Sequence, residues 1–244
     1  MAVVHQRGAD PAAVVGDAVR ALTRAGGVRA VCLVGSFARG DARPDSDLDL
    51  VVVSDRPVRE LVGRLPPHAR HDRVSLICRT PDQVREMALT GSLFLQHVRT
   101  EGKVLYDPDR FLAGVFDIAS KVPLDAKGDI RRRAAGLRHY QHLERFGDRY
   151  LFALADLYAI AKGIGVAWCA TLDRPTFVKK DALAIVAECR PDLRDDIAAI
   201  KRLRPFYDMT RGHGGQCLPF DPFRARDEVE RAVDAVSRLA DAAP

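Results

Sequence analysis

Two rhythms of apolar and polar residues divide the chain. In the first, short β-branched runs alternate with amphipathic stretches. VRAVCLV (Val28–Val34), LDLVVVS (Leu48–Ser54) and RVSLICR (Arg73–Arg79) read as strands, the first of them buried. GKVLYD, from Gly102, is a candidate edge strand. Asp10-Pro11 opens a helix that runs to about Arg24 and stops at Gly26-Gly27. A helix is expected near Val58–Leu65, leading through Pro66-Pro67 to the third strand. Thr80-Pro81-Asp82 opens another, reaching roughly His97.

After Pro108 the strand pattern vanishes. From about Leu124 onward only the helical rhythm persists, first in an Arg-rich segment and then in RYLFALADLYAIAKGIGVAWCATL. Further helices are expected over 178–189, 191–204 and 225–240, with Pro175, Pro191, Pro205 and Pro222 as punctuation. The implied fold class is α/β (α+β), a small sheet domain over residues 1–115 followed by a helical bundle over 116–244. The boundary falls within 108–125.

Composition narrows the class without choosing a function. A 47% hydrophobic and 29% charged chain is ordinary for a globular protein. The N-terminus lacks a signal-peptide layout, and charged residues or glycine interrupt each apolar run before it reaches a bilayer's thickness. A cytoplasmic protein with no membrane partner is therefore expected. Five scattered cysteines (Cys32, Cys78, Cys169, Cys189, Cys217) argue against both a disulfide framework and a zinc ribbon and for buried or semi-buried free thiols. A net charge of +5 suits a phosphate-bearing partner, yet no basic stripe marks a nucleic-acid platform.

The chemistry concentrates in VGSFARGDARPDSDLDL, from Val34 to Leu50. A strand ending in Gly35-Ser36 lets the backbone approach an anion, and the Ser36 hydroxyl and nearby amides can donate to phosphate oxygens. Asp47 and Asp49, one residue apart on a strand, share a face, while Leu48 and Leu50 point into the core. Two acids so close call for a hard cation, and Mg²⁺ bound by carboxylates and substrate phosphates is the expected occupant. Each half of this pattern alone is commonplace. Their combination between two apolar strands is not.

This pattern resembles the polymerase-β-type nucleotidyltransferase superfamily: a hydrophobic residue, Gly35-Ser36, ten intervening residues, then Asp47-Leu48-Asp49-Leu50. The spacer FARGDARPDS is similar to that of small bacterial and antibiotic-modifying members. ATLDRPTFVKKDALAIV (Ala170–Val186) resembles the bundle segment of aminoglycoside adenylyltransferases. The resemblance implies a Mg²⁺-dependent enzyme moving a nucleoside monophosphate, AMP from ATP, to a hydroxyl of a small acceptor lodged between the two domains. It assigns the metal to Asp47 and Asp49, the donor's phosphates to Gly35, Ser36, Ser46 and Lys180, and a capping role to Asp181. A protein hydroxyl is the second acceptor class.

One element of the family pattern is missing. The next strand usually carries a third carboxylate, and this one has Ser75 or Arg73 there. Asp72 precedes the strand with the opposite parity to Ser75. Candidate bases are therefore Asp72, Glu144, Asp148 or Asp156, and the alternative is a degenerate, regulatory or antitoxin-like protein that binds nucleotide without turnover. A metal pair at His139 and His142, an acceptor pocket among Tyr150, Phe152, Tyr158 and Trp168, a ribonuclease-like reading of Arg133–His139 and a lid at Arg211–Gly215 are lesser candidates.

Overall fold

The computed structural model of the chain describes residues 10–24, 26–42, 46–71, 74–172, 179–211 and 217–243, with the side chains of 70, 71 and 179–181 outside that description. Two compact units divide it, Met1–Pro123 and Leu124–Pro244.

In the first unit, α1 (Pro11–Arg24) precedes β1 (Val28–Val34), and a short helix α2 (Gly35–Arg39) follows β1 without a gap. Next come β2 (Leu48–Ser54), α3 (Val58–Arg64), α4 (Pro67–His71) and β3 (Val74–Arg79). The unit ends with α5 (Pro81–Leu89), α6 (Leu93–Glu101), β4 (Lys103–Tyr106) and α7 (Phe111–Lys121). The sheet order is β3-β2-β1-β4. Strand β1 runs antiparallel to both β2 and β4, whereas β2 and β3 are parallel and joined through α3 and α4.

Both faces of this sheet are covered, which is why β1 and β2 carry almost unbroken apolar residues. Val31, Leu33, Leu48, Leu50 and Val52 pack with Val14, Ala18 and Leu22 of α1 and with Leu61, Leu65 and Ala69. The opposite set, Ala30, Cys32, Val34, Val51 and Val53, packs with Val84, Ala88, Leu95, Val98, Leu112 and Val115 from α5, α6 and α7. Within β2 a single position escapes burial, Asp49.

Several expectations needed revision. The helix expected from Thr80 to His97 is two helices, broken at Gly91, whose φ of 65° is left-handed. Thr80 and Gln83 start the first of them with a reciprocal capping box. Helix α4 occupies what reads as a proline-rich connector, and α7 forms where the sequence pattern predicts nothing. Arg73 and Asp72 lie outside the described residues.

The second unit is helical: α8 (Ala126–Ala134), two 3-10 turns, α9 (Leu151–Thr171), α10 (Lys179–Cys189), a 3-10 turn at Pro191–Leu193, α11 (Arg194–Lys201), α12 (Arg204–Thr210) and α13 (Arg226–Asp241). The single helix expected over 191–204 is thus a 3-10 turn and α11, with α12 starting at its end. Helix α9 runs through the middle, packed by α8, α10, α11, α12 and α13. Contrary to the reading that every apolar run is cut short, its 21 residues are long and apolar enough by length and composition to cross a bilayer; two-thirds of that span is buried inside the unit, as in a core helix. Trp168 anchors α9 by donating its indole N–H to the Leu239 carbonyl at 2.9 Å, and the Arg190 guanidinium lies 5.4 Å from its ring centroid. Arg238 of α13 donates to both Asp196 carboxylate oxygens of α11.

Lys162 is the awkward residue of α9. Burial, reinforced by Arg211, pushes its ammonium down from 10.5 to about 8, with Asp208 opposing and Arg204 adding to the shift. Below pH 8 both folded and unfolded chains carry this proton, and the folded state bears the full desolvation cost. Between about 8 and 10.5 only the unfolded chain holds the proton, so this residue's contribution to stability improves as pH rises through that window. Lys162→Met is therefore expected to stabilise most below pH 8, by at most about 3 kcal/mol, with the advantage shrinking toward pH 10.5. Denaturant melts of both proteins across pH 7–10.5 check the sign; a pH-independent difference would contradict it.

Candidate functional site

Gly35 is where strand β1 turns into helix α2, and two facts demand glycine there. Its φ is 75°, a left-handed conformation that side chains disfavour. A Cβ built on it would also lie 2.8 Å from Asp49 Oδ2. The Asp49 carboxylate thus sits against the bare Cα of Gly35, which the register explains, since Val34 is the partner of Asp49 across β1 and β2. Gly-Ser and Asp-x-Asp, ten residues apart in sequence, meet in space.

No side chain caps the start of α2, so its first amides can serve an external acceptor. The far end closes on Gly40, at φ 86°, whose N–H donates to the Ser36 carbonyl at 2.9 Å. Gly35, Ser36, Ser46, Asp47 and Asp49 are all half-buried, held by the fold yet reachable. By strand alternation Asp49 shares the sheet face of Val51 and Val53, and Asp47 stands immediately before the strand.

Parallel pairing sets Ser75 of β3 directly beside Asp49. The position of the third acid is therefore occupied by a hydroxyl, and no described cluster gathers three or more His, Cys, Asp or Glu side chains able to hold a metal. Mg²⁺ needs only one or two protein carboxylates when substrate phosphates and water complete its shell. Asp47 and Asp49 with the cradle at Gly35 fit that requirement, and the fit depends on the substrate.

Sequence reasoning missed a charged group at the other end of α2. Arg39 Nη1 donates to Glu101 Oε2 at 3.1 Å, and Arg39 also pairs with Asp41 at 3.2 Å. His97 Nε2 lies 3.2 Å from the same Glu101 oxygen. Arg39 and Glu101 are only about one-fifth exposed (22% and 19%), enough burial for the pair to matter. The Leu33–Lys103 pairing brings the end of α6 near the motif turn, so Glu101 ties α2 to α6. Glu101→Ala would leave the Arg39 cation half-buried without this partner, and a stability loss of about 1–2 kcal/mol is expected, read by denaturant unfolding. An unchanged midpoint would show Asp41 alone to suffice.

The remaining candidates fall elsewhere. Lys180 and Asp181 stand in the first turn of α10, and their side chains lie outside the described residues, as do Asp72 and residues 212–215 of the expected lid. In the second unit, Asp156 accepts a 2.6 Å bond from the Tyr140 hydroxyl, Asp148 a longer one from Tyr150 at 3.4 Å, and exposed Glu144 pairs with His142 at 3.4 Å. His139 and His142 are both exposed, and only His139 belongs to a helical turn, so their expected common face is lost. Arg133 donates nothing toward a His139 centre; its guanidinium lies against Gly163. Tyr150, Tyr158 and Trp168 are core, whereas Phe152 is 72% exposed. Of the cysteines, Cys32 and Cys169 are buried, but Cys189 and Cys217 are exposed, against expectation. Burial pushes the Cys32 thiol up to about 12, which makes it a packing residue.

The first unit also holds an apolar cavity of about 670 Å³, lined by Val15, Val19, Leu33, Phe37, Leu48 and Leu105 among others. Leu33 and Leu48 belong to the sheet face opposite the two aspartates, so this cavity is not the carboxylate site.

No curated protein matches the chain. The family model for the nucleotidyltransferase domain matches residues 17–74, a span running from α1 through the Gly35-Ser36 turn and both aspartates to the first residue of β3. The chain carries a nucleotidyltransferase domain, consistent with the polymerase-β type.

Proposed function

We propose that this protein transfers a nucleoside monophosphate, AMP from ATP, to the hydroxyl of a small-molecule acceptor, with Mg²⁺ required. The observation that carries the reading is the packing of the Asp49 carboxylate against the bare Cα of Gly35, which unites a phosphate-binding turn and a cation-binding pair. In this reading Asp47 and Asp49 hold Mg²⁺, which supplies positive charge to the donor's phosphate oxygens. The first-turn amides of α2 and the Ser36 hydroxyl donate to those oxygens, with Ser46, the residue before Asp47, as a further donor. The acceptor's hydroxyl oxygen attacks the α-phosphorus, the bond to pyrophosphate breaks, pyrophosphate departs, and the hydroxyl's proton passes to solvent water. A serine hydroxyl beside Asp49 does not take the acceptor's proton near neutral pH. Rate therefore rests on positioning and charge.

Pyrophosphate release from ATP, GTP, CTP and UTP, with Mg²⁺ and a panel of hydroxylated acceptors, tests this directly. Acceptor-dependent release that disappears with EDTA is expected, strongest with ATP. Binding of triphosphate with no release for any acceptor would favour the degenerate, regulatory reading, to which Ser75 beside Asp49 lends its weight.

A further inference from the structure

The helical unit carries a concentration of positive charge that nothing above uses. Lys162 of α9 points its ammonium at the face of Tyr207 of α12, 3.8 Å from the ring centroid, with Tyr158 at 5.5 Å. The Arg211 guanidinium stands over the same Tyr207 ring at 5.2 Å. The two tyrosine rings are themselves 5.5 Å apart and tilted by 55°. Arg204 completes the group, and its Nε lies 3.3 Å from Asp208 Oδ2.

Charge does not balance here. Three cations, Lys162, Arg204 and Arg211, face one carboxylate, Asp208, and that carboxylate pairs with Arg204. Among the described residues no hydrogen bond or ion pair reaches the Lys162 ammonium, although the residue is half-buried. Two aromatic faces offset part of its lost hydration, since cation–π attraction recovers only a fraction of it. Buried cations are ordinarily paired, and among the described residues this one has no hydrogen-bonded anion, which leaves it open to a counter-charge carried by a ligand.

We propose that Lys162 and Arg211, both over the Tyr207 ring, together with Arg204 beside Asp208, form a binding site for an oxyanion, a phosphate or carboxylate group carried by a ligand. An oxyanion has lone pairs enough to accept from an ammonium and from forked guanidinium donors together. Tyr207 and Tyr158 wall the site. A polycation such as an aminoglycoside is repelled by the same group. The site rests on the helical unit alone and stands whether or not the first unit transfers nucleotide.

The test reads Lys162 locally. The full chain is acetylated with acetic anhydride, and modification at Lys162 is quantified by peptide mass spectrometry with pyrophosphate, with citrate, and with chloride at matched ionic strength. Pyrophosphate or citrate is expected to protect Lys162 at millimolar concentration, and which one does so separates phosphate from carboxylate. Arg211→Gln, at an exposed position that the core does not need, is expected to raise the concentration for half-protection by about tenfold. Protection is expected to persist in the Asp47→Asn/Asp49→Asn chain, which removes the first unit's cation site. Three results overturn the proposal: labelling that neither anion alters, protection that Arg211→Gln leaves untouched, and protection lost with the double asparagine change.

Discussion

Asp49→Asn is expected to lower nucleotide transfer by roughly a thousandfold while the fold survives. The size follows from what the carboxylate does. It is the half-buried position in an otherwise buried strand, it sits against Gly35, and its neighbour across the parallel pairing is a serine that cannot take over its charge. In the proposed function, losing one of the two carboxylates that would hold Mg²⁺ weakens cation binding and removes several kcal/mol of transition-state stabilisation, and about 4 kcal/mol corresponds to a thousandfold. Stability is spared because Asn has the same shape and relieves a crowded pair of acids when no cation is present. Turnover with saturating ATP and Mg²⁺, beside a denaturant melt, checks both halves. Loss of activity with loss of folding would move Asp49 from chemistry to structure.

Gly35→Ala is expected to cost about 1–2 kcal/mol in stability and a hundredfold or so in turnover, more than the lost stability alone explains. The stability term comes from a side chain at φ 75°. The activity term comes from the Cβ, which cannot stay 2.8 Å from Asp49 Oδ2, so the carboxylate or the turn must move. A double-mutant cycle separates them. Alanine at position 35 in an Asp49→Ala background keeps the backbone strain and loses the collision, so the two changes are expected to couple by about 1 kcal/mol in unfolding free energy. Strict additivity would show that the turn does not feel the carboxylate.

What could be read in advance follows from where the information resides. Strands Val28–Val34 and Leu48–Ser54 are legible because both sheet faces are covered, leaving apolar runs whose ends are marked by Gly27 and Gly35 and by Asp47 and Asp55. The face of Asp49 is legible because strand parity is a local rule. The gap at Ser75 is legible as a missing acid, and pairing turns it into a hydroxyl beside Asp49. Helix α7 has no such local mark: Arg110 precedes it in a left-handed conformation, and Asp107 caps it from five residues upstream of Leu112. Arg39 and Glu101 are 62 residues apart, and no pattern in one sequence joins them. The Lys162 group is hidden for the same reason, because an isolated lysine in an apolar helix becomes chemistry only when α12 supplies its aromatic and basic neighbours.

The most direct measurement is a calorimetric titration of ATP into the chain with and without Mg²⁺, repeated on the Asp47→Asn/Asp49→Asn protein. A donor site built on the two carboxylates predicts binding that requires Mg²⁺ and is lost in the double variant, with folding retained. Binding that is equal in both proteins, or indifferent to Mg²⁺, would contradict it.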